Sequence, residues 1–136
     1  MRKRERIVPD TNILISRLLL PLSVPGRAVR KAVEDAILLV SEATMYELAD
    51  VLARPKFDKY ISVGDRREFL RLLARIAEPV PITYSVRECR DARDDKLLEV
   101  ALNGRADVIL TGDFDLLVLH PWRNVAILSP AVYLER

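Results

Sequence analysis

Histidine and cysteine each occur once in this chain, as His120 and Cys89. A lone cysteine excludes an internal disulfide and any CxxC metal knot. A lone histidine, set in the turn-like stretch LHPWRN, does not readily furnish a catalytic triad or a histidine-rich zinc site. No apolar run approaches the ~18–20 residues of a membrane span. The basic start MRKRERIVPD is not followed by the apolar region of ~7–15 residues and the small-residue cleavage site of a secretory signal, so the chain reads as cytoplasmic. A net charge of +2 is too small to indicate nucleic-acid binding. Any chemistry here must therefore rest mainly on carboxylates.

What is present suits a single globular domain over residues 1–136, half apolar and long enough for a real core. A strand is expected at Ile7–Pro9 and a helix from about Asn12 to Leu20, broken by Pro21 and the Val24-Pro-Gly26 cluster. Arg27–Asp35 shows one apolar face at helical spacing. Ile37–Val40 has the continuous apolar character of a strand buried on both faces. Helices are expected over Ser41–Ala53 and over Asp65–Ala77, the latter burying Phe69, Leu72, Leu73 and Ile76, with a short helical turn at Lys56–Tyr60. Pro79–Thr83, with two prolines, suits an edge strand. Asp94–Leu102 reads as helix, Val108–Thr111 and Val125–Leu128 as strands, and a short terminal helix starts at Pro130. Strands alternating with helices point to an α/β three-layer sandwich with a mainly parallel sheet.

In such a sheet, ligands sit at the carboxyl ends of the strands. Asp10 follows the first strand and Asp113 the fourth, in VPDTN and DVILTGD. Either acid alone also reads as a helix N-cap or turn residue. Glu47 lies about two turns into the helix after the second strand, where Thr44-x-x-Glu47 also matches a capping box. Glu42 and Asp50 compete on the same helix. Leu97, Leu98 and Ala101 mark the buried stripe of the next helix, and Asp94 falls near its middle. An inward carboxylate needs a partner, which an N-cap role or a metal ion would equally supply. Asp95, at the stripe's edge, reads as a first-turn acid stabilised by the helix dipole. Carboxylates brought together on one rim call for a divalent cation, and hard oxygen ligands suit Mg²⁺ or Mn²⁺. Such a site would polarise a phosphodiester and activate water at neutral pH. Asn12 and Thr111, each two residues from an acid, are placed to orient ligands.

The stretches Asp10-Thr-Asn12, the helix carrying Glu47, Asp94-Asp-Lys-Leu-Leu98 and Ala106-Asp-Val-Ile-Leu-Thr-Gly-Asp-Phe-Asp-Leu116, in this order, resemble the PIN-domain ribonucleases. Within that family the likeness is greatest to the toxin components of prokaryotic toxin–antitoxin pairs, and it covers nearly the whole chain. The resemblance implies a parallel sheet of about five strands and Mg²⁺- or Mn²⁺-dependent hydrolysis of RNA. Carried over residue by residue, it makes Asp10, Glu47, Asp94 and Asp113 the catalytic and metal-binding quartet. Spacing from Ala106-Asp107 favours Asp94, with Asp95 as its neighbouring alternative, and Asp115 is an additional acid beside Asp113. A homodimer and an antitoxin that blocks the acidic cleft are the partners it implies.

Arg17, Arg27, Arg54, Lys56 and Lys96 are candidates for holding flanking RNA phosphates, although each also reads as solvated charge on a helix face. Trp122 and Phe114 are candidates for base stacking, with core packing the competing role. Three other readings stand beside the toxin ribonuclease. One is an RNA-processing nuclease of the same chemistry. Another is a phosphatase or phosphotransfer domain with Asp10 as nucleophile, though a haloacid-type phosphatase wants a second aspartate where Asn12 stands. The last is an inactive PIN-like module serving in binding or assembly.

Overall fold

A computed structural model describes residues 3–136. Five parallel strands form one sheet: β1 (Arg6–Pro9), β2 (Ile37–Val40), β3 (Glu78–Pro79), β4 (Val108–Leu110) and β5 (Ala126–Leu128), in the order β3-β2-β1-β4-β5. Among the described residues they alternate with seven α-helices: α1 (Thr11–Leu19), α2 (Val24–Asp35), α3 (Glu42–Leu52), α4 (Val63–Ile76), α5 (Ala92–Asn103), α6 (Phe114–Leu117) and α7 (Pro130–Leu134). A short 3₁₀ turn at Pro55–Phe57 follows α3. No helix among them is long and apolar enough to cross a membrane.

Alternation along the strands builds two cores. Ile7, Leu38, Val40, Val108 and Leu110 point to one face, against Ile13 of α1, Ala28 of α2, Leu48 of α3, Leu73 of α4 and Tyr133 of α7. Val8, Leu39, Ile109 and Ile127 point to the other, against Leu97, Leu98 and Ala101 of α5 and Leu116 of α6. Burial on both faces explains why these strands read as continuous apolar runs. The result is a three-layer α/β sandwich around a parallel sheet.

Several local details depart from the sequence expectation. The edge segment keeps only Glu78–Pro79 as strand, because the prolines at 79 and 81 withhold donors from a longer ladder. Of the α4 residues expected inside, Leu73 is buried and Phe69 half-buried, whereas Leu72 and Ile76 are about half exposed. Only a narrow stripe of that helix meets the core. The short helix α6 realises the N-cap reading of Asp113, whose carboxylate accepts from the Asp115 N–H at 3.0 Å.

Candidate functional site

Proline 9 ends the central strand, and with no N–H it cannot extend the ladder toward β2, which involves only Arg6 and Ile7. The chain then turns at Asp10, whose N–H still reaches Leu110 O at 2.9 Å. Asp10 caps α1, with Oδ1 facing the Asn12 N–H at 3.4 Å. Its Oδ2 accepts from the Thr111 hydroxyl at 2.6 Å, and the same Thr111 Oγ1 accepts from the Asp113 N–H at 3.0 Å. Thr111, fully buried at the end of β4, thus fixes the two aspartates of neighbouring strands relative to each other.

Glu47 comes from α3, whose real capping box is Ser41 with Thr44. Thr44 is therefore not an N-cap for Glu47, and the glutamate is left out of capping. Its Oε2 instead accepts from the Thr11 hydroxyl at 3.2 Å, across from α3 to α1. Glu42 and Asp50, its competitors, are exposed.

α5 begins two residues earlier than the sequence pattern indicates, and Asp91 is its N-cap. That removes capping as the explanation for Asp94. Asp94 is 92% buried, being 8% exposed, and its Oδ2 has no hydrogen-bond partner. Asp95 is buried for another reason: its Oδ1 accepts from the backbone N–H groups of Glu88 and Cys89 at 2.9 and 2.7 Å, tying down the segment before α5. The two adjacent aspartates thus have separate environments.

Carboxylate oxygens of Asp94, Asp113 and Asp115 approach within 4.8 Å of one another. Asp10, Glu47, Asp94 and Asp113 all line one cleft of about 410 Å³. Burial, then repulsion from Asp113 and Glu47, raises the Asp10 carboxyl above its ordinary range despite the Thr111 and Asn12 bonds. Burial and the facing Asp113, with Asp91 and Asp10 adding repulsion, push Asp94 up to about 7. Like charges held this close favour a proton or a cation between them. The donor set contains only oxygens, one of them buried and unpartnered, which fits a hard divalent cation.

Of the expected cations, Arg54 and Lys56 line this cleft, on the stretch after α3. Arg17 does not line it and donates to Pro21 O, Arg27 is exposed on α2, and Lys96 borders a separate hollow with Glu42 and Tyr46. Two cleft residues went unnoticed in the sequence, Asp91 and Arg93, which pair at 2.9 Å. Asp91-x-x-Asp94 has the spacing of a capping signal and could have revealed the earlier helix start. Trp122 is buried, its indole N–H donating to the Glu88 carboxylate, so it belongs to packing, whereas Phe114 stands 74% exposed beside the acids. His120 Nδ1 accepts from the Ile127 N–H at 2.9 Å and serves the loop before β5. Burial and nearby acids push the Cys89 thiol up to about 12, far from nucleophilic chemistry.

Residues 6–115 match the family model described as PIN domain. An uncharacterized protein of Methanocaldococcus jannaschii is 32% identical over 128 residues, covering 88% of this chain and 81% of that protein. Among solved structures, VapBC2 from Rickettsia felis bound to a DNA fragment from their promoter matches with a TM-score of 0.62 at 11% identity, over 91% of this chain and 98% of that one. FitAcB from Neisseria gonorrhoeae matches with a TM-score of 0.60 at 23% identity, over 92% and 98% of the two chains. The PIN domain endonuclease Utp24 matches with a TM-score of 0.57 at 18% identity, over 91% and 84%. These likenesses to solved structures concern the fold; the family match extends over most of the sequence. The chain belongs to the PIN domain family.

Proposed function

We propose that this PIN domain is a Mg²⁺- or Mn²⁺-dependent endoribonuclease that hydrolyses RNA phosphodiester bonds at the cleft of Asp10, Glu47, Asp94 and Asp113. The observation that carries the reading is Asp94: a buried carboxylate oxygen without a partner, facing other acids. An unpaired buried charge is costly, and a cation is the partner these ligands suit. Asp10, Asp94 and Asp113 would hold it, with Glu47 direct or through water and the exposed Asp115 beside them. Bound there, a divalent cation supplies Lewis acidity toward the phosphodiester and a nucleophile at neutral pH.

The remaining roles belong to the chain. Thr111 ties the Asp10 carboxylate to the Asp113 backbone, the Asp115 N–H holds the Asp113 carboxylate, and Thr11 orients Glu47 toward the cleft. The Asn12 N–H holds Asp10 Oδ1 in place. Arg54 and Lys56 offset the acidity of the cleft and meet the phosphates flanking the scissile one.

A toxin of a toxin–antitoxin pair is the biological setting we favour, with an antitoxin covering the cleft and a homodimer as the resting assembly. The VapBC2 and FitAcB matches support this setting. So does an apolar hollow of about 370 Å³ between α1, α2 and α4, where the half-exposed Leu72 and Ile76 offer a protein partner a surface. A neighbouring reading frame for a small partner protein would separate this setting from RNA processing.

The test is cleavage of a mixed RNA panel with Mn²⁺ or Mg²⁺, with and without chelator, comparing wild type with Asp10→Asn and Asp113→Asn. Metal-dependent cleavage lost in both variants is the expected result. Cleavage that survives chelation, or that the variants share with wild type, removes the reading and favours a binding module.

A further inference from the structure

The Asp10–Asp113 pair is a divide, not the end of the cleft. On one side lies the hollow of about 410 Å³ that contains Glu47, Asp94, Arg54 and Lys56. On the other lies a second hollow of about 320 Å³, lined by Ile13, Pro25, Gly112 and Pro130. Asp10, Asn12, Ser16 and Asp113 border both. The second hollow is of the size at which small-ligand pockets begin, ~300 Å³. Apart from the shared aspartates it has no charged wall.

Gly112 stands on the floor of this second hollow with no internal reason to be glycine. Its φ lies outside the left-handed region, so its backbone does not require the residue. A Cβ built there would meet nothing within 4 Å. Gly104, by contrast, is held by packing: a Cβ would come within 2.8 Å of Val100 O and 2.9 Å of Val80 Cγ2. A glycine that neither conformation nor packing requires, set between two acids of a cleft, leaves its backbone open to close approach by a ligand.

We propose that the substrate strand crosses the Asp10–Asp113 divide and that the bare backbone at Gly112 is the floor of a subsite for the nucleotide beyond the scissile phosphate. The proposal rests on the ribonuclease reading and adds an asymmetry to it. On the larger side the strand is gripped through its phosphates by Arg54 and Lys56. On the Gly112 side it is held by contact of sugar and base with the backbone, Pro25 and Pro130. A single RNA strand can pass over this divide, because its nucleotides can separate into two hollows.

The experiment places Gly112→Ala and Gly112→Val beside wild type, Asp10→Asn and the control Gly64→Val. Gly64 lines neither hollow, and a Cβ there would meet only Ser62 Oγ, at an ordinary 3.9 Å. Cleavage of single-stranded RNA with Mn²⁺ is followed together with Tm. Gly112→Val is expected to lower kcat/KM by on the order of 10²-fold, the loss that a substrate displaced by about an ångström can suffer. Gly112→Ala should fall between, Tm should stay level or rise in both, and Gly64→Val should cleave like wild type. The larger loss should also fade for substrates shortened from one end only. If Gly112→Val cleaves like wild type while Asp10→Asn is dead, the ribonuclease reading stands and the subsite is wrong. A loss that tracks a lowered Tm overturns the subsite too. If wild type shows no metal-dependent cleavage, the reading fails and the subsite goes with it.

Discussion

The two ends of the sheet carry acids under opposite regimes. At the amino ends of the strands, Arg6 makes four contacts that engage Asp107, Gly104 and Glu78. Its N–H donates to Asp107 Oδ2 at 2.8 Å, its Nε to Gly104 O at 2.9 Å, and its guanidinium embraces both oxygens of Glu78. The Arg6 guanidinium holds the Glu78 carboxyl below its ordinary range. At the carboxyl ends Arg93 is taken up by Asp91, and among the described residues no arginine pairs with Asp10, Glu47, Asp94 or Asp113: burial raises Asp10, and burial with the facing Asp113 raises Asp94. One rim is satisfied within the chain and contributes to stability. The other is left in electrostatic debt that only a proton or a cation can settle, which is the signature expected of a functional site.

Asp94→Asn should reduce that contrast most. Cleavage is expected to fall by roughly 10² or more, since even residues that only support metal ligands carry 10–100-fold. Stability of the metal-free protein should move the other way. A carboxyl raised in the folded state binds more protons folded than unfolded, so its stabilisation is complete below the unfolded value of 3.8 and is lost as pH rises through about 7. In chelator, wild type should therefore lose Tm between about pH 4 and pH 7, and Asp94→Asn should flatten the loss. Saturating Mn²⁺ should restore wild type by about 2.7 kcal/mol at a hundredfold excess over Kd, and the variant by less. Glu78, lowered by Arg6, has the reverse sign: its contribution holds above 4.5 and goes as pH falls. A wild-type Tm profile in chelator that falls no more steeply than that of Asp94→Asn from about pH 4 to pH 7 would refute the account of Asp94.

Removing Arg6 probes the satisfied rim. Arg6→Ala deletes the bond to the Gly104 carbonyl and the grip on Glu78. The ion pair is partly exposed and contributes less than about 1 kcal/mol. The half-buried stem and the charge-assisted carbonyl bond bring the expected loss to about 1–3 kcal/mol in urea unfolding. Cleavage measured well below Tm should stay at the wild-type rate. A variant that keeps its stability but loses cleavage would mean that the two rims are not separate in function.

Much of this organisation was legible in the residues, for physical reasons. Continuous apolar runs such as Ile37–Val40 announce strands buried on both faces, and the Asp10 and Asp113 positions follow from where a parallel sheet opens. Asp94 was legible as an inward acid because its stripe is defined by Leu97, Leu98 and Ala101. What separates it from Asp95 was not, since that depends on the N–H groups of Glu88 and Cys89, brought in by a loop with no periodicity. The helix α6 is legible only through the N-cap reading of Asp113, because its four residues are too few to show a period. The α4 stripe misled because Leu72 and Ile76 are apolar for a surface that the fold leaves uncovered. Gly112 was unreadable in a sequence, where a glycine needed for packing and one needed by a ligand look alike.

The smallest expected effect concerns the cations that border the acids. Arg54 and Lys56 line the cleft and form no ion pair among the described residues, whereas Arg93 is already matched by Asp91. If the first two meet phosphates, each should contribute one released counterion to RNA binding, about 0.7 in the slope of log K against log salt for a single strand. Arg54→Ala and Lys56→Ala should each lower the slope by about that amount and weaken binding to all sequences alike. Arg93→Ala should change the slope less, because its removal also frees the Asp91 charge against the incoming phosphates. Fluorescence anisotropy of labelled single-stranded RNA on Asp10→Asn protein, which prevents turnover, measures all three. Equal slopes for wild type, Arg54→Ala and Lys56→Ala would mean that these side chains are solvated charge, and that the strand reaches the acids by another route.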